Sequence, residues 1–555
     1  MLFRSWFVHE LVRQTLIETM SPPRRQRLHL RIADGIERTF ASSLDTHAPA
    51  LAYHLYNAGP GASPEKTIHY LSIAAARAGA AAAHEEALDH LDRALALLDT
   101  PVSPIGAGLL VPRAVALQSL GRADEAIETF ERALSVFDAL GDVGHYLEAC
   151  VPLLHLYVFA MRPADMQSLV ERAAERAEGG SLGARGVVLA MRAVCSSMGG
   201  MIDAALAYLD ELKSIPLEEL PSSMVGFATI LEVHVREEAG QMDLAEAVAR
   251  RATRMLEGSA FWRENVAYGL YEPPLYRGNP IEGERLARES IRQSTRLGAD
   301  ELRQMAMRSL ADMRLANGDL ADAEQVARDA LAFSESIKGG GLMFVVGITL
   351  AGVLHLRDRS AEAVPLLEHA VLGRLPFFAG YPESLLALSQ TVLGSPDADA
   401  AIDFAMKWLP GPGRSRGLGG WYAVSLLIEA LRHRNRRQEA ARLIEDAERA
   451  AAEWDSNHYA FPVRSAAAIA AACAGDWARA EAHHQAAIAR MDEVPYVTAR
   501  PIARYWYADM LIERGGAGDA AAAAGLLEEA ILSSDTIGLA LYARMGRERL
   551  SQLSQ

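Results

Sequence analysis

A pattern of small residues recurs along this chain about every forty positions. One copy is a small residue, a mostly apolar residue four positions later and another small residue three further on. Offsets of four and three place the three side chains on one face of a helix, so a second helix can approach that face closely. In the clearest copies a glycine comes five positions earlier. These copies are Gly121 with Ala126, Phe130 and Ala133; Gly318 with Ala323, Ala327 and Ala330; and Gly475 with Ala480, His484 and Ala487.

The copies are evenly spaced. Weaker ones begin at Ala87, Met166, Ala205, Ala245, Gly283, Ala363, Ala401 (with Ala405 and Trp408), Ala440 and Ala523, and successive copies start 38 to 43 residues apart. Such a unit holds two antiparallel helices, and the glycine between them supplies the positive φ that ends the first. One pair cannot bury its own apolar faces, so neighbouring pairs must stack. The sequence predicts an all-α, right-handed superhelical solenoid of about twelve helical hairpins with a concave inner wall.

Composition restricts the partners of the chain. Fifty-five Lys and Arg against 71 Asp and Glu give a formal charge of −16, and an acidic surface repels phosphate backbones. We therefore predict no direct binding to nucleic acid. Three cysteines, Cys150, Cys195 and Cys473, are too few and too far apart for a disulfide framework or a structural zinc site. They favour a reducing, cytoplasmic setting, and no metal or cofactor is predicted.

One segment, residues 339–356, has no formal charge apart from that of a protonated His355. A membrane span is one interpretation, but the segment contains five glycines and lacks aromatic anchors at its ends. Its spacing also fits a repeat helix, so we predict a buried helix and no membrane partner. Charged residues in the first twenty positions, such as Glu10 and Arg13, interrupt any signal-peptide core.

The spacing and the small-residue signature, from about residue 80 to 540, resemble the tetratricopeptide repeat family, in a variant longer than its usual length of about 34 residues. The resemblance implies that the first helix of each pair lines the concave wall. A protein, a peptide or a small-molecule inducer would bind there, and self-association stays open. The alternative is that the polar wall residues simply face water. Counting back from the loops gives His155, Phe227, His234, Glu237, Asn265, Tyr268, Glu272, Arg308, Asp312, Tyr422, Glu429 and Arg432.

The start of the chain carries a second resemblance. The run Phe7-Val8-His9-Glu10-Leu11-Val12-Arg13 with Leu16, Ser21-Pro22 and Arg24-Arg25 is similar to the winged-helix segment of STAND-class signal-transduction ATPases. LuxR-type and maltose-regulator-like transcriptional activators are built in this way. The resemblance implies a winged-helix-like remnant at 1–40, a helical lead-in and first repeat at 41–98, and the repeat array at 99–555. It implies a non-catalytic sensor or interaction arm of a signalling or transcriptional regulator.

The chain departs from that plan at both ends. No G-x-x-x-x-G-K-[ST] phosphate loop occurs, and nothing after Gln555 supplies a helix-turn-helix, so neither ATP hydrolysis nor DNA binding is carried over. We expect a sensor portion, either naturally split or cut from a longer parent. The alternative is a free-standing scaffold that binds a peptide or protein in its concave groove.

Three short motifs resemble parts of enzyme active sites, but the sequence around each of them does not fit that interpretation. Residues 206–211 end in an acidic pair without a phosphate loop, and residues 179–183 match a hydrolase nucleophile elbow that follows a helix instead of a strand. The glycine-rich 411–420 segment is the best small-anion contact, although Pro412 removes one donor. We predict that the chain is not an enzyme. The aromatic run 261–280 is a candidate pocket, with Pro273-Pro274 expected to kink or end its helix.

Overall fold

The chain is all-α wherever the structure describes it. The computed structural model describes residues 19–81, 83–100, 102–160, 162–216, 219, 222–256, 260–337, 342–373, 379–409, 418–453 and 463–553, and these contain helices and turns but no strand. Two compact units divide the chain, Met1–Leu156 and Tyr157–Gln555. The winged-helix motif from Phe7 to Leu16 lies outside the described residues. The division at 40 and 98 therefore stays a prediction.

The first six helices of the first unit pack on one another in chain order, and the first five share a core that contains Leu51, Leu55, Leu71 and Leu91. Short 3₁₀ helices, Leu44–His47 and Gly59–Gly61, flank the second helix. The last residues of the seventh helix belong to the second unit. The helices are α1 (Pro22–Thr39), α2 (Ala48–Ala58), α3 (Pro64–Ala80), α4 (His84–Ala96), α5 (Pro104–Ser119), α6 (Ala123–Leu140) and α7 (Val143–Phe159).

Within the second unit each helix packs on the next one along the chain. A 3₁₀ helix, Met406–Trp408, extends one of the helices. The helices are α8 (Pro163–Ala177), α9 (Leu182–Met198), α10 (Ile202–Leu212), α11 (Ser222–Glu238), α12 (Met242–Met255), α13 (Ala260–Val266), α14 (Tyr268–Tyr276), α15 (Pro280–Leu297), α16 (Asp300–Ala316), α17 (Leu320–Ser336), α18 (Leu342–Leu356), α19 (Ser360–Gly373), α20 (Tyr381–Val392), α21 (Ala398–Ala405), α22 (Leu418–His433), α23 (Arg437–Arg442), α24 (Ile444–Glu453), α25 (Val463–Cys473), α26 (Trp477–Glu493), α27 (Ala499–Arg514), α28 (Asp519–Ile537) and α29 (Ala540–Leu553).

The helical-hairpin prediction is confirmed by the small-residue faces. Ala126, Phe130 and Ala133 on α6 are completely buried, as are the corresponding residues of α17. These side chains occupy the interface with the preceding helix, where a larger residue would push the pair apart. The sequence pattern therefore marks the second helix of each hairpin.

One copy of the pattern was assigned the wrong register. On α21 the buried residues are Ala398, Ile402 and Ala405, whereas Ala401 is only partly buried and Trp408 is 39 % exposed. The buried set has the same four-and-three spacing as the predicted set but begins three residues earlier. Ala405 belongs to both sets, and three residues are almost one helical turn, so the two sets lie on neighbouring parts of the helix surface. The interval before this copy is correspondingly shorter than the others.

Left-handed turn residues end the first helix of many hairpins. Gly318 has φ +82°, as the pattern predicted, but two hairpins use residues that carry a side chain, Asp358 (φ +61°) and Asn435 (φ +58°). Asp and Asn tolerate this conformation better than other non-glycine residues. The Asp358 carboxylate also receives two hydrogen bonds from the Arg544 guanidinium on α29, at 2.7 and 2.8 Å. Asp358 therefore both makes a turn and joins two distant hairpins.

The uncharged segment forms a repeat helix. Residues 342–356 are α18, which packs between α17 and α19, and residues 339–341 lie outside the described part. His355 is completely buried and lies 3.1 Å from the hydroxyls of Ser360 and Ser389. Within the described residues, none of the helices combines the length and the apolar character that crossing a membrane requires.

The short enzyme-like motifs have structural roles in the described residues. Residues 206–211 lie on α10, and the Ser181 hydroxyl caps α9 by accepting a hydrogen bond from the Ala184 N–H at 3.2 Å. Residues 411–417 lie outside the described part of the chain. The helix does not end at Pro273-Pro274. The interruption falls at Ala267, and the prolines are the sixth and seventh residues of α14, which ends two residues after them at Tyr276.

The second unit closes on itself through residues 494–498, which connect α26 to α27. The Tyr496 hydroxyl donates a hydrogen bond to the Leu275 carbonyl and accepts one from the Gly278 N–H at 3.1 Å. The Val497 N–H donates to the carbonyl of the last residue of α16 at 2.9 Å. Two early hairpin turns are thus held against a much later part of the chain.

Candidate binding site

Several predicted wall residues meet in the interior of the second unit. Arg308 on α16 pairs with Glu272 on α14 and, at 2.9 Å, with Asp312 one turn further along α16. Glu237 on α11 lies near enough to interact with both Glu272 and Arg308. We call Glu237, Glu272, Arg308 and Asp312 the charged cluster. The sequence predicted all four residues from their register on first helices.

The charged cluster is buried, since Glu272 is 0 % and Asp312 1 % exposed. Burial, together with the neighbouring carboxylates Glu272 and Glu238, raises the pKa of Glu237 well above its ordinary value, although Arg308 and a hydrogen bond from Tyr268 act in the opposite direction. Glu237 therefore retains its proton to a higher pH than an exposed glutamate. One cation faces three carboxyl groups, and protonating Glu237 relieves part of that imbalance.

Aromatic side chains surround the charged cluster. The rings of His234 and Tyr268 lie 6.0 Å apart, and burial and the Arg308 charge lower the pKa of His234 to about 4. His234 is therefore neutral at physiological pH. The rings of Tyr381 and Tyr422 pack edge to face at 5.0 Å. Burial raises the pKa of Tyr422 well above its ordinary value, as do the neighbouring tyrosines.

Two further predicted residues contact late hairpins. The Glu429 carboxylate accepts a hydrogen bond from the Tyr542 hydroxyl at 2.6 Å, and Arg432 pairs with Asp509 at 2.9 Å and Glu513 at 3.2 Å. Residues of α22 that were predicted to face a partner therefore contact α27 and α29 of the same unit. Sequence register found these positions but could not identify their neighbours.

The remaining predicted residues are scattered. Asn265 is buried on α13, and the side chain of Phe227 lies outside the described part of the chain. His155 is buried on α7 within the first unit, and burial lowers its pKa to about 4. Direct contact between a partner and these twelve side chains stays a prediction. In the described arrangement the four residues of the charged cluster are buried.

An open site that the sequence did not predict lies in the first unit. A cavity of about 620 Å³ runs between α3 and α5 above α4, and a smaller one of about 400 Å³ continues it toward the start of α3. We call the two together the α3–α5 groove. Its residues are Ser72, Ala75, Ala76, Gly79, His84, Ala87, Leu91, Ile105, Gly108, Leu109, Val111, Pro112, Val115 and Ala116, with Glu65, Ile68, His69 and Ile73 at the extension.

Small residues on both walls make the α3–α5 groove wide. A Cβ atom placed on Gly79 or Gly108 would meet no atom within 4 Å, so both glycines face open space. Ile105 is 51 % and Val115 43 % exposed on the α5 wall. Exposed aliphatic side chains beside an unfilled channel are typical of an interaction surface. A cavity of this size lies within the range of known ligand sites.

The sequence does contain one feature related to this groove, a row of small residues on α3. On α3, Ser72, Ala76 and Gly79 follow one another at helical spacing, as the small residues of the repeat pattern do on second helices. The same spacing on a first helix indicates either close packing or an empty channel. The sequence does not distinguish these, because the distance between α3 and α5 depends on how all three helices pack.

Solved tetratricopeptide-repeat proteins share this fold. The Cut9–Hcn1 hetero-tetramer of the APC/C matches with a TM-score of 0.52 at 14 % identity, covering 97 % of this chain and 94 % of that one. A Rap protein complexed with competence and sporulation factor matches at 0.48 and 11 % identity, covering 62 % and 99 %. A STAND protein with a tetratricopeptide repeat sensor from Pyrococcus horikoshii matches at 0.39 and 10 %, covering 73 % and 65 %. No protein-family model and no curated protein matches the sequence. At 14 % identity the likeness to Cut9–Hcn1 establishes the tetratricopeptide fold alone.

Proposed function

We propose that this chain is a non-catalytic, protein-binding arm of a signalling or transcriptional regulator, and that the partner binds in the α3–α5 groove. The main support for this site is the open apolar channel, which has exposed aliphatic residues on one wall and unfilled space at Gly79 and Gly108. Covering such a surface is favourable because apolar area is removed from water. The walls are helices, so the site exists before the partner arrives.

The regulator role is supported by the sequence resemblance to the STAND arm and its lead-in. A cytoplasmic regulator of the LuxR type would use the arm to receive a signal from the partner and to transmit it to an attached module. A free-standing scaffold would use the same groove without transmitting anything.

The groove assignment is tested by filling the channel without disturbing the fold. Gly108→Leu places a four-carbon side chain in open space on α5, and replacing a mid-helix glycine favours the helix by about 0.5–1 kcal/mol. Gly525→Leu is the matched control, because Gly525 is also an exposed helical glycine with open space around its Cβ position, on α28 of the second unit. Wild type and both variants would be used to capture partners from the source cells.

A partner purified from this capture would be titrated against each variant by calorimetry. We expect wild type and Gly525→Leu to bind it equally and Gly108→Leu to bind about tenfold more weakly or not at all. Circular dichroism would verify that both variants melt at or above the wild-type temperature. Equal binding by all three proteins would remove the groove from the proposed function. A reporter gene that responds to the partner only in the presence of this chain distinguishes the regulator from the scaffold.

A further inference from the structure

The walls of the α3–α5 groove offer few hydrogen bonds. Among the residues that form the two cavities, only Glu65, His69, Ser72 and His84 carry polar side chains, and the Ser72 hydroxyl is already donated to the Ile68 carbonyl at 2.8 Å. The backbone groups of the walls are committed to their own helices. An extended peptide in the groove would bury the N–H and C=O groups of its backbone, and the walls offer almost no hydrogen-bond partners for them. A helix satisfies its backbone internally and avoids that penalty.

The dimensions of the groove also suit a helix. The α5 wall extends from Ile105 to Ala116, which is about 16 Å at 1.5 Å per residue, and the α3 wall from Glu65 to Gly79 is slightly longer. About three turns of a helix fit along this length. An amphipathic helix presents aliphatic side chains at positions i, i+3, i+4 and i+7, which match an apolar channel walled by two helices.

Among the Asp, Glu, Lys and Arg side chains, only that of Glu65 lines the groove. Three of the four Lys and Arg residues of α3, α4 and α5 pair with carboxylates of the first unit, and the fourth bonds a backbone carbonyl. Lys66 pairs with Glu37, Arg77 donates to the Asp45 carbonyl, Arg93 pairs with Asp89, and Arg113 pairs with Asp92. Glu65 lines the groove, and a hydrogen bond from Ser63 lowers its pKa, so the carboxylate is ionised. A basic ligand is therefore favoured over an acidic one.

We propose that the occupant of the α3–α5 groove is an amphipathic α-helix of a partner protein, with an aliphatic face and basic flanks. This inference rests on the proposed function, since it names the kind of partner that would bind in the same groove. The aliphatic face covers Ile105 and Val115, and the flanking lysines or arginines lie near Glu65.

Designed peptides test this chemistry without knowledge of the natural partner. The probe is a fluorescein-labelled, lactam-bridged helix of about 18 residues with leucines at the i, i+3, i+4 and i+7 positions and lysines on its flanks. A second peptide has the same composition with two prolines in the centre, which prevent a helix. A third replaces the lysines by glutamates. Binding to the full chain is measured by fluorescence anisotropy.

We expect the basic helix to bind wild type and Gly525→Leu with the same affinity. Gly108→Leu and, on the opposite wall, Ala76→Leu should weaken binding about tenfold or more. Glu65→Gln should reduce the preference for the basic over the acidic helix while leaving the leucine requirement unchanged. Ala76→Leu serves as a second blocking variant because Ala76 is exposed on a well-formed helix.

Equal binding of the proline peptide, tighter binding of the acidic helix, or binding that survives both blocking variants would overturn the inference. Absence of binding by every peptide would overturn it too. If a captured natural partner is then still lost in Gly108→Leu, the protein-binding function stands and only the helical ligand is wrong. If that partner binds Gly108→Leu as well as wild type, the groove itself is wrong.

Discussion

Replacing Glu237 by glutamine should change how the stability of the second unit depends on pH. The folded protein binds the Glu237 proton more tightly than the unfolded chain does, because its pKa is raised by burial and by the neighbouring carboxylates. The contribution to the free energy of unfolding is therefore fully present below the unfolded pKa, near the ordinary value of 4.5, and is lost as pH rises toward the folded pKa. Glutamine keeps the shape of the side chain and has no proton to lose.

The magnitude follows from linkage. Over each pH unit above 4.5 in which folded Glu237 remains protonated, wild type loses about 1.4 kcal/mol of unfolding free energy from this group. The loss continues until the pH reaches the folded pKa, where both states release the proton. The variant lacks this loss, so its stability relative to wild type should increase as pH rises.

Thermal unfolding followed by circular dichroism at several pH values measures the effect as the difference in melting temperature between variant and wild type. Glu335→Gln is the control, because Glu335 is an exposed carboxyl on the same unit. If the melting-temperature difference between Glu237→Gln and wild type were the same at pH 5 and pH 8, the raised pKa of Glu237 would be contradicted. The same trend in Glu335→Gln would show that the effect does not come from the buried position of Glu237.

Three other substitutions test separate contacts by their effect on the melting temperature. Tyr496→Phe removes the hydroxyl that binds the Leu275 carbonyl and the Gly278 N–H, so it should cost about 1–3 kcal/mol of stability; no change would argue against closure of the second unit. Gly278→Ala should cost a similar amount, about 1–3 kcal/mol, since φ is +85° and the new Cβ would lie 2.7 Å from Val494; an unchanged melting curve would contradict this packing. Ser181→Ala should cost about 1 kcal/mol through loss of a helix cap, and a loss of any hydrolytic activity in this variant would restore the nucleophile interpretation.

The sequence by itself determined the hairpins and the faces on which they pack. Ala126, Phe130 and Ala133 are buried where the four-and-three spacing placed them, because helical periodicity is local and fixes which side chains share a face. The same local rule left α21 ambiguous, since phases beginning at Ala398 and Ala401 both satisfy it. Only packing against the preceding helix selects one of them.

Turn residues were predictable when they were glycine. Gly318 has the expected positive φ, but Asp358 and Asn435 adopt the same conformation and gave no such signal. Asparagine and aspartate enter the left-handed region only where surrounding contacts compensate the strain. For Asp358 one such contact is the ion pair with Arg544, which lies 186 residues away in the chain.

The surroundings of the candidate site were decided by the tertiary structure. Register identified Arg308 and Glu272 as wall residues, yet whether a wall residue meets solvent, a ligand or another side chain depends on segments far away in the chain. The Tyr496 hydroxyl reaches Leu275 across 221 positions and holds closed the unit that contains the charged cluster. The α3–α5 groove has the same origin, since its width is the distance between two helices. A local pattern fixes the direction of a side chain, but the space in front of it is set by the packing of the whole unit.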